Sequence, residues 1–208
     1  MKLYIDEKLS DFPVEAQSMH EILHNNVGKL ISPGLVVKDI FVNGKSYGSF
    51  LMDAEKSKAF KVSEGDEIKI TTMDQKELVI GSIDAAAAFM KELDKGITRA
   101  TDEIKWGNAV SGFNNFAGYL KGIAGFVQIM EKLSEFLKID YNNYIFNGKD
   151  VQSYFGDLEK ILSSILATQL EQDFVLLADV TEFELKPNIE IWIGILGDMK
   201  SKLEGFGK

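Results

Sequence analysis

The pattern with the most direct chemical meaning is the pentapeptide HEILH at residues 20–24, which matches the H-E-x-x-H motif. On a helix, His20 and His24 lie one turn apart and can bind zinc, and Glu21 can act as a general base. The further glycine and histidine of the extended motif are absent, and the chain has no other histidine. A third ligand would have to be a carboxylate, and no pattern indicates one. We therefore expect neither a metal nor another cofactor, and we keep a zinc-dependent hydrolase using His20, Glu21 and His24 as an alternative.

A second group of side chains with potential chemistry is the acidic segment at residues 171–184. Helical carboxylates bind paired metal ions, but such sites typically combine them with Glu-x-x-His motifs on facing helices, and the acidic segment contains no histidine. We interpret the segment as an acidic edge that faces solvent or a partner. Its predicted partner-facing residues are Asp173, Asp179, Glu182 and Glu184.

Other catalytic and binding chemistries lack their signatures. The chain has no cysteine, which excludes disulfides, thiolate metal ligands and cysteine nucleophiles. Glycine-rich phosphate loops are also absent, and serine hydrolysis would need a base from the only two histidines, both on one predicted helix, so no nucleophile has a plausible triad. The net charge is -9 and Arg99 is the only arginine, whereas nucleic-acid binding requires clustered basic residues. We therefore predict no catalytic residues, no nucleic-acid partner and no attraction to anionic membrane surfaces.

The first 74 residues carry the signals of strands and turns that would have to position these side chains. Asn43-Gly44 is the strongest of them, because this dipeptide favours a two-residue hairpin. The predicted elements are, in order, a strand at residues 2–5, a short strand ending near Phe12, a helix that begins at Pro13 and is stopped by Pro33-Gly34, strands at residues 35–42 and 45–50, and a strand at residues 68–72.

Three short motifs occur in this region in a fixed order. They are the opening Lys2–Asp6 with a turn leading to Phe12-Pro13-Val14-Glu15, the segment Ile40–Lys45 with its Asn-Gly, and the segment Val62–Ile68 with its Gly-Asp turn. Together they resemble the small ubiquitin-like sulfur carriers, and the resemblance implies a β-grasp fold for residues 1–74. Sulfur carriers end in a free Gly-Gly after the last strand, whereas Met-Asp-Gln-Lys follows here at residues 73–76. The resemblance therefore implies the fold without the carrier chemistry.

From residue 75 onward, apolar residues recur with a helical period. We predict four helices: from a cap at Ser82 or Asp84 to Lys105, from Val110 to Lys138, from Asp150 to Leu177 or beyond, and from Pro187 onward. The predicted core face of the second helix consists of Phe113, Phe116, Ala117, Leu120, Ala124, Val127 and Leu137. Gly118, Gly122 and Gly125 in the same helix are interpreted as sites where a neighbouring helix approaches closely. Short connections imply antiparallel neighbours in a bundle.

These features predict an α+β protein, with a β-grasp-like domain at residues 1–74 followed by an antiparallel bundle of about four helices at residues 75–208. Bulky apolar residues exceed what a small bundle buries, so we expect a non-catalytic adaptor, assembly or regulatory factor that binds another protein or a second copy of itself. An export chaperone of the secretion or flagellum type is one specific version. A small-molecule sensor with a pocket lined by Tyr119, Tyr154 or Trp192 is a further alternative. Since no signal segment or membrane span is indicated, we expect a cytoplasmic protein.

Overall fold

The computed structural model describes residues 1–10, 16–51 and 53–205, and within these ranges all side chains except those at positions 26, 109, 110, 113 and 114. The protein is α+β, with an N-terminal mixed sheet followed by several helices, which confirms the predicted fold class at that level. Contacts divide the chain into two compact units, Met1–Leu78 and Val79–Lys208. No helix within the described ranges is both long enough and apolar enough to cross a membrane.

The N-terminal unit is built on one mixed five-stranded sheet. Its strands are β1 (Lys2–Ile5), β2 (Lys8–Leu9), β3 (Leu35–Val42), β4 (Lys45–Ser46) and β5 (Glu67–Asp74). Their order across the sheet is β2-β1-β5-β3-β4, in which β1 is parallel to the central β5 and the other neighbours are antiparallel. Both edge strands are two residues long, and β4 pairs only with Phe41 and Val42 of the eight-residue β3.

The hairpin between β3 and β4 forms at the predicted Asn-Gly pair. Asn43 and Gly44 have φ angles of 50° and 80°, as a two-residue turn between twisted strands requires. The Asn43 side chain also hydrogen-bonds to the turn that precedes β5. The returning strand ends at Ser46, earlier than predicted, and Gly48–Leu51 forms a 3-10 turn that buries Phe50 in the core of this unit.

One helical segment covers this sheet. It consists of α1 (Met19–Glu21), a π-helical turn (Ile22–Val27) and α2 (Gly28–Leu30). The short α3 (Ala54–Ala59) is a separate helix. The helix begins at Met19 with Ser18 as its N-cap, whereas the prediction began it at Pro13, which lies outside the described residues. Its apolar face packs on the sheet in a core formed by Leu3, Met19, Ile22, Val27, Ile40, Val42, Phe50, Ile68 and Ile70.

The second unit is helical apart from one small hairpin. Its elements, beginning with a helix that starts before the unit boundary, are α4 (Gln75–Lys105), α5 (Ala109–Leu137), β6 (Ile145–Phe146), β7 (Lys149–Asp150), α6 (Val151–Glu171), α7 (Phe174–Val180), a π-helical turn (Thr181–Leu185) and α8 (Lys186–Gly205). The hairpin β6–β7 begins between the second and third predicted helices, where no element was predicted. Its turn residues Asn147 and Gly148 both have positive φ, as a short hairpin turn requires.

Two predicted helix starts are wrong. Helix α4 begins at Gln75 because the Asp74 carboxylate accepts hydrogen bonds from the backbone N–H groups of Lys76 and Glu77, at 2.8 and 3.1 Å. Ser82 and Asp84 therefore lie inside the helix rather than at its cap. The last helix does not begin at Pro187, since it continues from α7 through the π-helical turn that immediately precedes this proline. A proline has no N–H to donate, which a widened turn accommodates.

The predicted end of the third helix is also wrong. Helix α6 stops at Glu171, because Gln172 adopts a left-handed conformation with a φ of 57°. Asp173 then caps α7 by accepting a hydrogen bond from the N–H of Leu176 at 2.9 Å. The left-handed residue that ends a helix is usually a glycine or an asparagine, so Gln172 gave no signal of a helix end in the sequence.

The buried face of α5 agrees only in part with the predicted one. Phe116 is fully buried as predicted, and Leu120, Val127 and Leu137 are half-buried and pack against the core, but Ala117 and Ala124 are exposed, and Phe113 lies outside the described side chains. The buried apolar residues of this helix are Phe116, Ile123, Phe126, Met130 and Leu133. Apolar residues surround most of this helix, and a nearly uniform distribution does not define which side faces inward.

The glycines of α5 were also partly misinterpreted. A Cβ atom at Gly118 or Gly125 would meet no atom within 4 Å, so these two are not sites of close packing. At Gly122 it would lie 2.7 Å from the Phe89 ring, as the packing interpretation expects. The closest backbone approach is at Gly112, where a Cβ would lie 2.7 Å from the Ala100 carbonyl oxygen of α4.

Candidate functional site

The HEILH segment lies at the start of the helix that covers the sheet. Glu21 Oε2 accepts a hydrogen bond from the N–H of Gln17 at 2.8 Å, and Ser18 Oγ accepts one from the N–H of Glu21 at 3.3 Å. This reciprocal arrangement is close to a capping box, so the Glu21 carboxylate satisfies backbone at the helix start. The rings of His20 and His24 are 4.2 Å apart, and His20 Nδ1 lies 3.4 Å from Ser57 Oγ. Among the described residues, no three His, Asp or Glu side chains are placed to hold one metal ion.

Two carboxylates of the acidic segment have partners within the chain. Asp173 caps α7, and Glu182 pairs with Lys105 across 2.7 Å. A hydrogen bond from Lys105 lowers the pKa of the Glu182 carboxyl, and the same bond raises the pKa of Lys105. Asp179 and Glu184 are exposed. Two of the four residues predicted to face a partner therefore already have partners within the chain, and the prediction for all four remains a prediction.

A groove lies between α5 and α6 in the helical unit. Its volume is about 690 Å³. The groove is lined by Val127, Glu131, Ser134 and Glu135 of α5, by Tyr141 of the connection, and by Gln152, Phe155, Leu158, Glu159, Leu162, Ser163 and Leu166 of α6. A volume of this size lies in the range of small-molecule pockets. The groove is elongated, however, because its lining follows α6 for four turns.

Tyr141 fixes one end of this groove. Its hydroxyl donates a hydrogen bond to the Met130 carbonyl at 2.6 Å, and its ring centroid is 5.6 Å from that of Phe155. Tyr141 thereby connects the segment after α5 to both helices. Burial raises the pKa of the Tyr141 hydroxyl well above its ordinary value, so the group stays protonated and remains a donor.

The start of α6 is fixed just as firmly. The Asp150 carboxylate accepts hydrogen bonds from both the hydroxyl and the N–H of Ser153, each at 2.7 Å, and these bonds lower the pKa of Asp150. Asp150 also closes the β6–β7 hairpin. In that hairpin the Phe146 ring lies against Gly194 of α8, where a Cβ would be 2.8 Å from the ring. The hairpin thus sets where α6 begins relative to α8.

The floor and the rim of the groove differ in chemistry. Leu158 is buried and Phe155 and Leu162 are half-buried, which makes the floor apolar, while Leu166 at one end is 56% exposed. Every charged residue of the lining is a glutamate, namely Glu131, Glu135 and Glu159, and all three are exposed. None of the ion pairs formed within the described ranges involves them. The groove therefore combines an apolar floor with a negatively charged rim.

Apolar exposure continues beyond the groove along the chain. Leu170 is one turn after Leu166 and is 78% exposed, and Val175 at the start of α7 is 75% exposed. Phe183 in the π-helical turn is 69% exposed. Because an isolated exposed leucine is common, the informative feature is the succession of Leu166 and Leu170 on one stripe of α6.

This groove and its three glutamates were not predicted from the sequence. Glu131 and Glu135 are one turn apart on the same side of α5 as Val127, and this interruption of an otherwise apolar helix was the available signal. The aromatic residues proposed for a sensor pocket do not line it. Trp192 is fully buried between Phe126 and Phe155, with ring centroids 5.4 and 4.5 Å away.

The fold and the groove define a mostly helical α+β protein whose second unit carries a groove between two helices. The chain belongs to the DUF8042 family, a domain of unknown function, because residues 82–195 match the model of that family and make up more than half of the sequence. All lining residues of the groove fall within the matched region. No curated protein and no solved structure matches the chain.

Proposed function

We propose that this protein is a non-catalytic adaptor, assembly or regulatory factor that binds another protein through its helical unit. In this proposal residues 1–74 are a β-grasp-like domain and residues 75–208 an antiparallel bundle of four helices. The parallel pairing of β1 with β5, and a helix that packs on the sheet between two hairpins, support the first assignment. An export chaperone that holds a helix of its client is one specific form of the same proposal.

The observation that carries the proposal is the apolar stripe that runs from the groove floor onto the open surface of α6. Phe155, Leu158 and Leu162 lie in the groove, and Leu166 and Leu170 extend the stripe with exposed fractions of 56% and 78%. Exposed apolar side chains in succession are favourable binding surface, because covering them removes apolar area from water. This arrangement supports a binding role better than a catalytic one.

The chemistry of the charged groups supports the same conclusion. The rim of the groove offers exposed carboxylates, and its lining contains no histidine. The two serines of the lining, Ser134 and Ser163, donate their hydroxyl hydrogens to the backbone carbonyls of Ile139 and Glu159. The two histidines lie on the helix over the sheet, where Glu21 is engaged in capping. A general base needs a free carboxylate within reach of a substrate proton, and the cap occupies that of Glu21.

Cross-linking in cells tests the proposal. A photoreactive amino acid at position 170 should form an adduct with another protein after irradiation, because Leu170 is the most exposed member of the stripe. The matched control is position 160 of the same helix, where the exposed Lys160 lies outside the groove lining. Absence of an adduct at position 170, or equal adducts at both positions, would overturn the proposal.

A further inference from the structure

We propose that the groove between α5 and α6 binds a single amphipathic helix of a partner protein, with its apolar face on the groove floor and its lysines or arginines beside Glu131, Glu135 and Glu159. This inference rests on the proposed protein-binding function and identifies the chemistry of the partner. Three properties of the groove lead to it, namely its length, its floor and its rim.

The length of the groove fits a helix. The α6 residues of the lining run from Gln152 to Leu166, which at 1.5 Å per residue corresponds to about 21 Å. An α-helix of about 14 residues, or four turns, has the same length. The two walls are themselves helices, and an amphipathic helix in such a groove is an established mode of peptide recognition.

The floor supplies the apolar contacts that such a helix requires. Val127 from α5 and Phe155, Leu158, Leu162 and Leu166 from α6 are spaced along the groove. Apolar residues at positions i, i+3, i+4 and i+7 of a bound helix would face this row. Affinity would come mainly from these contacts, because they remove apolar surface from water.

The rim determines the sign of the partner's charge. Its three glutamates are exposed and form no ion pair among the described residues, so a bound helix meets three negative charges. Basic residues flanking the apolar face would be attracted, whereas acidic ones would be repelled. A second copy of this chain is disfavoured, since its net charge is -9. An anionic membrane surface is disfavoured for the same reason.

Two designed helical peptides of about 18 residues test the inference with the full-length chain. They share one apolar face of leucines, and their remaining positions are lysine in one peptide and glutamate in the other. Titration followed by fluorescence anisotropy should show saturable one-to-one binding of the leucine–lysine peptide, at least tenfold tighter than that of the leucine–glutamate peptide. The affinity should fall with added salt, because charge pairs on an exposed rim are screened.

Charge-reversed variants show where the peptide binds. Glu131→Lys, Glu135→Lys and Glu159→Lys together should weaken binding at least tenfold. The matched control carries Glu64→Lys, Glu190→Lys and Glu204→Lys, which change the net charge equally at exposed positions outside the groove. It should change the affinity less than threefold. Equal losses in both triple variants would overturn the inference, because the attraction would then be non-specific.

A pair of apolar variants keeps the test decisive if a charge-reversed chain fails to fold. Leu166→Asp changes an exposed groove residue and should weaken binding about tenfold, whereas Val175→Asp, which lies outside the lining, should not. If neither peptide binds while position 170 still cross-links to a protein in cells, the basic helix is wrong and the protein-binding function stands. If the leucine–lysine peptide binds in the groove but position 170 cross-links to nothing, the proposed function fails instead.

Discussion

Gly112 lies in α5 where this helix packs against α4, and Gly112→Ala tests that packing directly. An alanine Cβ at this position would be 2.7 Å from the Ala100 carbonyl oxygen and 3.0 Å from the Ile104 nitrogen. Both are backbone atoms of α4, so no side-chain rotation relieves the contact. The helices must separate or tilt, and the packing of the apolar residues between them is disturbed.

The magnitude follows from two opposing effects. Alanine in place of glycine inside a helix contributes about 1 kcal/mol of stability. Forcing extra volume into a packed interface costs about 1–3 kcal/mol. Gly112→Ala should therefore leave the chain between unchanged and about 2 kcal/mol less stable. Gly118→Ala is the matched control on the same helix, because a Cβ there meets no atom within 4 Å and should stabilise the chain by about 1 kcal/mol.

Urea unfolding followed by far-ultraviolet circular dichroism measures the difference. The free energies of unfolding of the two variants should differ by about 1–3 kcal/mol, in favour of Gly118→Ala. With a urea dependence of about 2–3 kcal/mol per molar, the midpoints should differ by roughly 0.3–1.5 M. If Gly112→Ala proves as stable as Gly118→Ala, α5 does not lie against the Ala100 carbonyl and the reasoning is refuted.

Three further predictions concern other parts of the chain. The Asp6 carboxylate accepts hydrogen bonds from the N–H and hydroxyl of Thr72, which lower its pKa, so Asp6→Ala should cost about 1 kcal/mol at pH 7. This contribution is present above the pKa of the unfolded chain, near 4, and is lost as the pH falls through the lower folded pKa, so the difference in unfolding free energy between variant and wild type should shrink as the pH falls below about 4. Glu21→Ala should lower the free energy of unfolding by about 1 kcal/mol because a helix cap is lost, and Glu21→Gln should lower it less. Equimolar zinc should leave the thermal unfolding midpoint of the wild-type chain unchanged. A zinc-induced rise of that midpoint that Glu21→Gln retains would favour a metal site. Gly194→Ala should press on the Phe146 ring and accelerate amide hydrogen exchange at residues 145–150, and unchanged exchange there would contradict the packing of the hairpin on α8.

The strands that the sequence predicted well are those whose signals are local. Strand β3 spans Leu35–Val42 as predicted, and the hairpin forms at Asn43-Gly44. Asn43-Gly44 favours the turn, and the β-branched and aromatic residues just before it favour the strand, so both signals act over only a few residues. By contrast, the end of the β4 strand depends on Phe50 entering the core, which is a tertiary contact that no local pattern encodes.

Helix ends were predicted poorly where an unexpected residue forms the cap. Asp74 is the last residue of β5 and at the same time accepts the first N–H groups of α4. Gln172 ends α6 in a left-handed conformation, although glutamine has no special preference for it. Pro187 lies within a continuous helix, because the π-helical turn before it accommodates the missing N–H. In each case a neighbouring element decides what the residue does.

The face of α5 shows why the candidate site was missed. The sequence places apolar residues on most sides of this helix, so the period alone does not separate Phe126, which is fully buried, from Ala124, which is exposed. Because Val127 was assigned wholly to the core face, the surface around Val127, Glu131 and Glu135 was not recognised as one side of a groove. An accurate inward face would have placed these glutamates at its border.

The groove itself depends on the separation of two helices, and contacts distant in sequence set that separation. Tyr141 binds the Met130 carbonyl and packs on Phe155, which joins the connection to α5 and α6 together. Phe146 meanwhile packs on Gly194 and fixes the hairpin before α6 against α8. The helical period of a sequence predicts which side of a helix is apolar, but it does not predict the distance between the apolar sides of two neighbouring helices. The residues that set the separation of the two helices therefore determine the shape of the groove as much as those that line it.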